Sequence, residues 1–533
     1  MGMLLYVWAA TIVAAVWLYC RQVYSRFTRH GVKQLPPVPL LGNMTEVVFR
    51  FRHMAEGLED LYKAFPEERF IGRFEFMSPM VMIRDLELIK RITVKDFEYF
   101  LDHRTIVNDK TDPLFGRNLF SLKGQEWKDM RSTLSPAFTS SKMRVMVPFM
   151  MEAGDQMVEA LMNRIQESKE NYIDIDCKDI TCRYANDVIA SCAFGLKLNS
   201  QANLGSEFYK RGLEASVFNF RQVLSFLIMA NFPKLADLVN LTLFSEKSKD
   251  FFRSLVMNTM SNRETEKIFR PDMIHLLMEA KKGKLLHDEK VTQDTKAGFA
   301  TVEESAVGKK NIDRVWSDND LIAQAVLFFI AGFEGISAVM SFALHELAVN
   351  PDVQSKLVAE IKENDAKNGG KFDYKSIQEM TYMDMVVSEV LRFWSAGVAL
   401  DRVCNKDYNL GKPNSQATED YIVRKGEAIV IPVWAFHHDP QYFPNPDKFD
   451  PERFSEENKH KINPLAYMPF GLGPRNCIGS RFALCEVKVM LYQLLQHLEV
   501  FPAAKTAIPA RLSTETFNLR MKGGHWIRLN VRE

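Results

Sequence analysis

Apolar positions are spread unevenly along the chain, and their spacing predicts most of its elements. Met3 to Cys20 is apolar, with no charged side chain. As a helix it would extend about 27 Å at about 1.5 Å per residue, close to the hydrocarbon thickness of the thinner bilayers. No basic residue precedes it, whereas Arg21, Arg26, Arg29 and Lys33 follow it. That asymmetry predicts a transmembrane signal anchor over residues 1–20, with everything after it on the cytosolic side. A cleaved signal peptide is the weaker reading, because it would want basic residues before the run and a small-residue cleavage site after it. Residues 21–42 read as a basic and proline-rich linker. Its stretch Leu35-Pro-Pro-Val-Pro-Leu-Leu-Gly42 forbids helix and makes a stiff extended spacer.

Residues 43–533 read as one large, mainly helical unit with a small β region. Arg69 to Phe76 and Met80 to Arg84 look like two paired strands. Tyr99 to Leu122 is irregular, with Asp112-Pro113 and Phe115-Gly116, and predicts a long loop of the kind that carries function. Met143 to Leu198 reads as helices. Phe208 to Met260 is rich in Phe, Leu and Met. Within it, Phe218 to Phe220 and Phe226 to Pro233 suit a substrate channel or lipid contact, with ordinary core an equal alternative. Lys281 to Asp313 is polar and charged, and predicts a mobile surface loop. Leu321 to Leu344 is a long apolar helix that carries Gln324 and Glu334. Those two residues would disfavour membrane insertion by roughly a few kcal/mol. A helix buried within the protein is therefore expected. After Leu498 the pattern turns strand-like, and Thr514 to Leu519 with His525 to Asn530 predicts a terminal hairpin.

A chain of 533 residues, 47% of them hydrophobic, can bury a large core. The formal net charge of +1 gives no reason to expect a nucleic-acid partner. The seven cysteines are odd in number and show no paired, zinc-like spacing, so they read as reduced thiols. Cys485 lies inside a helical run and reads as a small buried hydrophobe. Cys477 is different. It sits in Phe470-Gly-Leu-Gly-Pro-Arg-Asn-Cys-Ile-Gly479, followed by a helical run from about Ser480 to Leu498. The positive end of that helix favours a thiolate. Gly471, Gly473 and Gly479 permit tight turns and close approach to a flat cofactor. Arg475 is placed to meet an acidic cofactor edge.

This stretch resembles the haem-binding loop of the cytochrome P-450 superfamily, Phe-x-x-Gly-x-Arg-x-Cys-x-Gly, and holds every fixed position. The resemblance implies the cytochrome P-450 fold and a b-type haem with Cys477 as its axial thiolate, a ligand that favours O–O cleavage. It implies that Arg475 pairs with a haem propionate and that Phe470 packs beside the sulfur. Trp127 and Arg131 share a helix face by their spacing, and the resemblance gives both to a propionate. Arg402 matches a further propionate ligand, and Arg104 is a weaker candidate for the haem. Glu389 and Arg392, also on one helix face, would join Arg453 of Pro451-Glu-Arg-Phe454 in a buried triad that braces the haem loop.

Ala331-Gly-Phe-Glu-Gly335 resembles the superfamily's distal-helix motif, Ala/Gly-Gly-x-Asp/Glu-Thr, whose acid and threonine route protons to the reacting oxygen. Ala331, Glu334 and Gly335 are then the catalytic positions, but Gly335 stands where the hydroxyl is expected. Ser337, two residues on, lies about 200° round the helix. Ser395 and Ala396 replace prolines common in the family.

The chain looks like the insect microsomal type, nearest its family nine, on Asn445 to Ser455 and Ser135 to Met143. That implies a monooxygenase of lipophilic small molecules, either xenobiotics such as plant toxins or insecticides, or endogenous lipids. It implies the endoplasmic reticulum membrane, NADPH electrons delivered by NADPH–cytochrome P-450 reductase, and cytochrome b5 as a second partner. Lys123, Lys128 and Lys488 are expected on the reductase face. Gly335 leaves a haem-thiolate isomerase or peroxygenase as the alternative.

Overall fold

The computed structural model describes residues 2–105, 107, 109, 112–217, 220–270, 272–282, 298–302, 307, 314–370 and 372–532. Most of the predicted mobile loop, and Phe218 and Asn219, lie outside them.

Ser317 starts the helix around which the rest is packed. Its hydroxyl accepts the Asp320 N–H, and the Asp320 carboxylate accepts the Ser317 N–H at 3.0 Å, a reciprocal cap. The helix runs Asp318–Ile330, widens into a π turn over Ala331–Gly335, and resumes over Ile336–Val349. It is apolar on nearly every side, as a helix buried all round must be. Of its apolar stretch 78% is buried in the protein, against 6% for the stretch beginning at Met3. That contrast separates the core helix from the membrane-anchor candidate, Gly2–Tyr24. Gln324 belongs inside because each end is satisfied. Its amide donates to the Arg117 and Asp320 carbonyls at 2.9 Å, and its oxygen accepts the Leu119 N–H at 2.7 Å.

Two apolar cores meet along this distal helix. Leu321, Val326 and Phe329 of its first half pack with Trp127 and Met130 of helix Gly124–Leu134 and Phe252 and Val256 of helix Glu246–Thr265. Met340, Phe342 and Leu347 of its second half pack with Met150 of helix Ser140–Glu167, Tyr184 of helix Cys177–Ile189, and Met490 of helix Ser480–His497. The widened turn lies at the junction.

The strands are β1 (Phe70–Glu75), β2 (Ser78–Ile83), β3 (Tyr172–Asp176), β4 (Leu400–Val403), β5 (Tyr408–Gly411), β6 (Tyr421–Val423), β7 (Ala428–Ile431), β8 (Leu498–Phe501) and β9 (Trp526–Val531). The expected pair β1 and β2 is antiparallel, with Phe70 opposite Ile83, and β7 and β4 extend it in the order β1-β2-β7-β4. The terminal hairpin is half right. His525 to Asn530 largely becomes β9, but its partners are β3 and β8, and 514–519 forms no strand. β3 lies in a segment read as helical. Cross-strand partners so far apart in sequence leave no local periodic trace.

Candidate functional site

The loop before helix Ser480–His497 is built by its backbone. The Cys477 N–H donates to the Phe470 carbonyl at 2.8 Å, and the Asn476 N–H to the Gly473 carbonyl at 3.0 Å. Gly471 and Gly473 adopt φ of 77° and 71°, in the region that favours glycine. At Gly473 a Cβ would also lie 1.8 Å from the Thr93 carbonyl oxygen. Gly479 needs no such freedom: its φ is −95°, and a Cβ there would make ordinary contact with Phe138. The expectation that all three glycines serve tight turns therefore holds for two.

Cys477 lies deep in the protein, yet is exposed on the wall of an internal cavity of about 440 Å³. Burial pushes its thiol pKa up, while the Gly479 N–H and the Arg131 charge pull toward thiolate. Phe470, Arg475 and Gly479 share the wall with it. Trp127 and Arg131 reach it from helix Gly124–Leu134, and Arg402 from β4. Ala331 and Gly335 face the same cavity from the distal helix. Parts some 350 residues apart in sequence thus converge as expected.

Three guanidinium groups cluster there. Arg475 donates to the carbonyls of Leu101 at 2.7 Å and Leu122 at 2.8 Å, and lies 4.1 Å over the Trp127 ring. Arg131 donates to the Asn476 carbonyl at 2.7 Å. Arg402 donates to the Asp401 carbonyl at 2.6 Å. Carbonyls take up donors from each of the three. Carboxylates stand among them: Asp102 lies 3.5 Å from Arg475, and Asp401 accepts a bond from His103 at 2.8 Å. Burial, then Arg402, pushes Arg475 down to about 9. His103 and Asp401 were missed in the sequence, being 298 residues apart with no motif between them.

The distal helix places its residues less simply. Gly335 opens on the cavity, and a Cβ there would meet no atom within 4 Å. Glu334 is not among the lining residues. Its carboxylate is buried on another side, 3.4 Å from Lys178 and 3.1 Å from Arg520. At about 100° per residue, position 334 stands off the face shared by 331 and 335, and the π turn over Ala331–Gly335 does not bring it back. Ser337 also points away, donating to the Phe333 carbonyl at 2.5 Å and accepting from Lys178 at 2.6 Å.

Behind the loop, Glu389 and Arg392 are fully buried and paired twice, at 2.7 and 2.8 Å. Arg453 approaches Glu389 at 3.4 Å and donates to the Pro444 and Asn445 carbonyls. Arg392 also holds the His437 carbonyl at 2.8 Å, while His437 Nε2 accepts the Met468 N–H at 3.0 Å. The ion pair is tied in this way to the segment entering the cysteine loop.

Residues 32–527 match the family model described as Cytochrome P450. The chain belongs to the cytochrome P450 family. It is 43% identical to cytochrome P450 9e2 of Blattella germanica over 98% of this chain and 96% of that protein. It is 38% identical to cytochrome P450 9b2 of Drosophila melanogaster, over 93% of each chain. Against cytochrome P450 6k1 of Blattella germanica the identity is 37%, over 97% of this chain and 94% of that protein. Membership makes this protein a haem-dependent oxidoreductase of the monooxygenase class.

The cavity of this P450 fits such a group. A b-type haem brings a flat apolar ring and two acidic arms, and the cavity offers largely apolar walls that carry three arginines, Arg131, Arg402 and Arg475. Two expectations fail. Arg104 does not line the cavity; it pairs with Glu75 at 2.9 Å, and His103 lines it instead. Lys488 is fully buried against Asp384 at 2.8 Å, so it presents nothing to a partner. Lys128 is half-committed, bonding Glu98 at 2.7 Å.

Proposed function

We propose that this P450 is an anchored monooxygenase of lipophilic small molecules, with Cys477 as the axial ligand of its haem. The reaction converts a C–H bond, O₂, NADPH and a proton into an alcohol, water and NADP⁺. Haem, when bound, supplies the redox chemistry that divides O₂. The chain supplies the ligand, the shape and the proton path. Arg131, Arg402 and Arg475, with Trp127, hold the acidic arms, a pairing that charge-assisted hydrogen bonds suit. Phe470 and Gly479 frame the sulfur, and a donated Gly479 N–H tunes its basicity. Ala331 and Gly335 line the substrate side. Glu334 is the proton-handling group. Its carboxylate must leave Arg520, or be bridged past Gly335 by water, to serve the cavity.

The substrates are xenobiotics such as plant toxins or insecticides, or endogenous lipids. Electrons come from NADPH through a membrane-bound reductase, with cytochrome b5 as a second donor. The reductase docks at the surface near Cys477 that carries Lys123 and Lys128. The protein resides in the endoplasmic reticulum membrane with its catalytic domain in the cytosol. The observation that carries the reading is Cys477 on a cavity ringed by buried arginines. Cys477→Ala is expected to abolish the thiolate-type carbon monoxide difference spectrum; a variant that kept it would remove Cys477 as ligand. Turnover that depends on NADPH and reductase separates this reading from peroxygenase or isomerase chemistry.

A further inference from the structure

The apolar helix Gly2–Tyr24 does not end as a free rod. Cys20, Tyr24 and Phe27 are buried with Phe70, Phe74 and Tyr421 in one apolar core. The Tyr24 hydroxyl lies 3.1 Å from the Val38 carbonyl and 3.2 Å from the Phe76 carbonyl, and the Tyr24 and Phe74 rings meet edge-on at 4.9 Å. The run before Cys20 is exposed, including Trp17 and Tyr19 at its end. Aromatic side chains at the end of an apolar span settle at the head-group level of a bilayer. The docked turns that follow therefore lie against lipid head groups.

A cavity of about 400 Å³ opens there. Tyr19, Gln22 and Arg26 line it at the spacing of one helical face. Arg29 and His30 continue the wall through the turn Thr28–His30, and Pro79 of β2 adds to it from the catalytic unit. Among the described residues no acid lines this cavity. Arg26 pairs with Glu427, which stands outside the lining, and its Nε has no partner. Arg29 is exposed and, among the described residues, has no acidic partner. The helix carbonyls that would repel an anion are taken up: the Arg21 carbonyl accepts the Ser25 N–H at 3.1 Å, and the Tyr24 carbonyl accepts from the Gln34 amide at 2.8 Å.

Two guanidinium groups on one cavity suit a phosphate. The same lining chooses the rest of the head group. A choline, ethanolamine or serine head carries an ammonium, which would meet cations alone. Hydroxyls find partners in Tyr19, Gln22 and His30, which can donate or accept. We propose that this cavity is a binding site for an anionic phospholipid with an uncharged polyol head, as in phosphatidylinositol. Arg26 and Arg29 take the phosphodiester, and the uncharged side chains take the ring hydroxyls. This rests on the reading of residues 1–20 as a membrane anchor.

The test counts lipid. Full-length, haem-loaded protein is placed in phosphatidylcholine nanodiscs that contain equal amounts of phosphatidylinositol and phosphatidylserine. It is then extracted in mild detergent, and lipid retained per haem is measured by mass spectrometry. The two test lipids carry the same net charge, so diffuse attraction would retain them equally. Phosphatidylinositol is expected in about tenfold excess or more, the equivalent of one charge-assisted hydrogen bond. Arg29→Gln should bring the two level. Lys33→Gln, which removes a neighbouring cation outside the cavity, should leave the preference intact. Equal retention by the parent protein would overturn the proposal, as would a preference that survives Arg29→Gln or is lost in Lys33→Gln. Soluble glycerophosphoinositol should fail to displace the lipid; displacement at equal concentration would give the site to a soluble phosphate ester and overturn the lipid assignment. A protein that stays outside the discs would overturn the anchor together with this site, whereas one that enters them without preference would overturn the site alone.

Discussion

Gly335 faces the cavity with room for a larger side chain, while Glu334, its neighbour, is clamped between Lys178 and Arg520. Oxygen activation needs protons in sequence, and neither residue offers a hydroxyl at the wall. Loose coupling is therefore expected, with NADPH consumption exceeding product. Gly335→Thr should raise product per NADPH, provided that the added volume spares the substrate. Glu334→Ala should lower turnover on the order of a hundredfold. Parallel measurement of NADPH, peroxide and product checks both, and tight coupling in the parent protein would sink the account. A second residue carries a pH signature. Burial raises the Glu346 pKa to about 7, although Trp394 donates to it at 2.9 Å. A carboxyl with a raised native pKa stabilises the fold at low pH, and that contribution fades as pH climbs from about 4.3 to about 7, by roughly 3 kcal/mol. Thermal midpoints between pH 4.5 and 8 should show the decline. Glu346→Gln should flatten it, and an unchanged slope would exclude Glu346. Residue roles were legible where a motif is local, as in 470–479. The partners of Glu334 were not, because Lys178 and Arg520 lie 156 and 186 residues away in sequence and are ordinary cations until the fold delivers them.

At the scale of elements, the Glu389–Arg392 pair is where helix Thr381–Phe393 meets the approach to the cysteine loop. Arg392→Ala leaves a buried carboxylate with only part of its support. It is expected to destabilise the protein by about 3–5 kcal/mol and to lower the fraction that takes up haem. Calorimetry and the carbon monoxide spectrum of one preparation would check this, and full haem content with an unshifted melting temperature would rule it out. The pair was legible because its spacing puts both ends on one face. The helix Asp318–Val349 was legible through unbroken apolarity, and Gln324 and Glu334 rightly argued against a membrane. The π turn was not, since a widened turn has the composition of an α turn. β9 was half legible: its alternation was visible, but its partners β3 and β8 were not.

For the whole molecule, a sparsely buried apolar helix at residues 2–24 stands against a well-packed remainder. Removing residues 1–20 should release much of the protein from membranes and leave haem binding intact, as fractionation with a spectral assay would show. A wholly soluble full-length protein would contradict the anchor. Some residual attachment is expected, because Phe232, Leu235, Leu238 and Val239 are also exposed. The family, the fold class and the cavity's cationic rim were readable ahead of any coordinates. The balance of charge inside was not, because its ion pairs join residues far apart in sequence, as Arg475 with Asp102 and Arg520 with Glu334 do. The distal helix belongs to both cores, and its widened turn lies where they meet. There the Ile336 N–H reaches back only to the Phe333 carbonyl, short of the α ladder. In mechanical terms the helix is two stiff rods joined by a compliant link, and the link faces the cavity. Filling that cavity can bend the rod joint without loosening either core, so strain from a bulky guest is absorbed at five residues instead of being spread through the molecule.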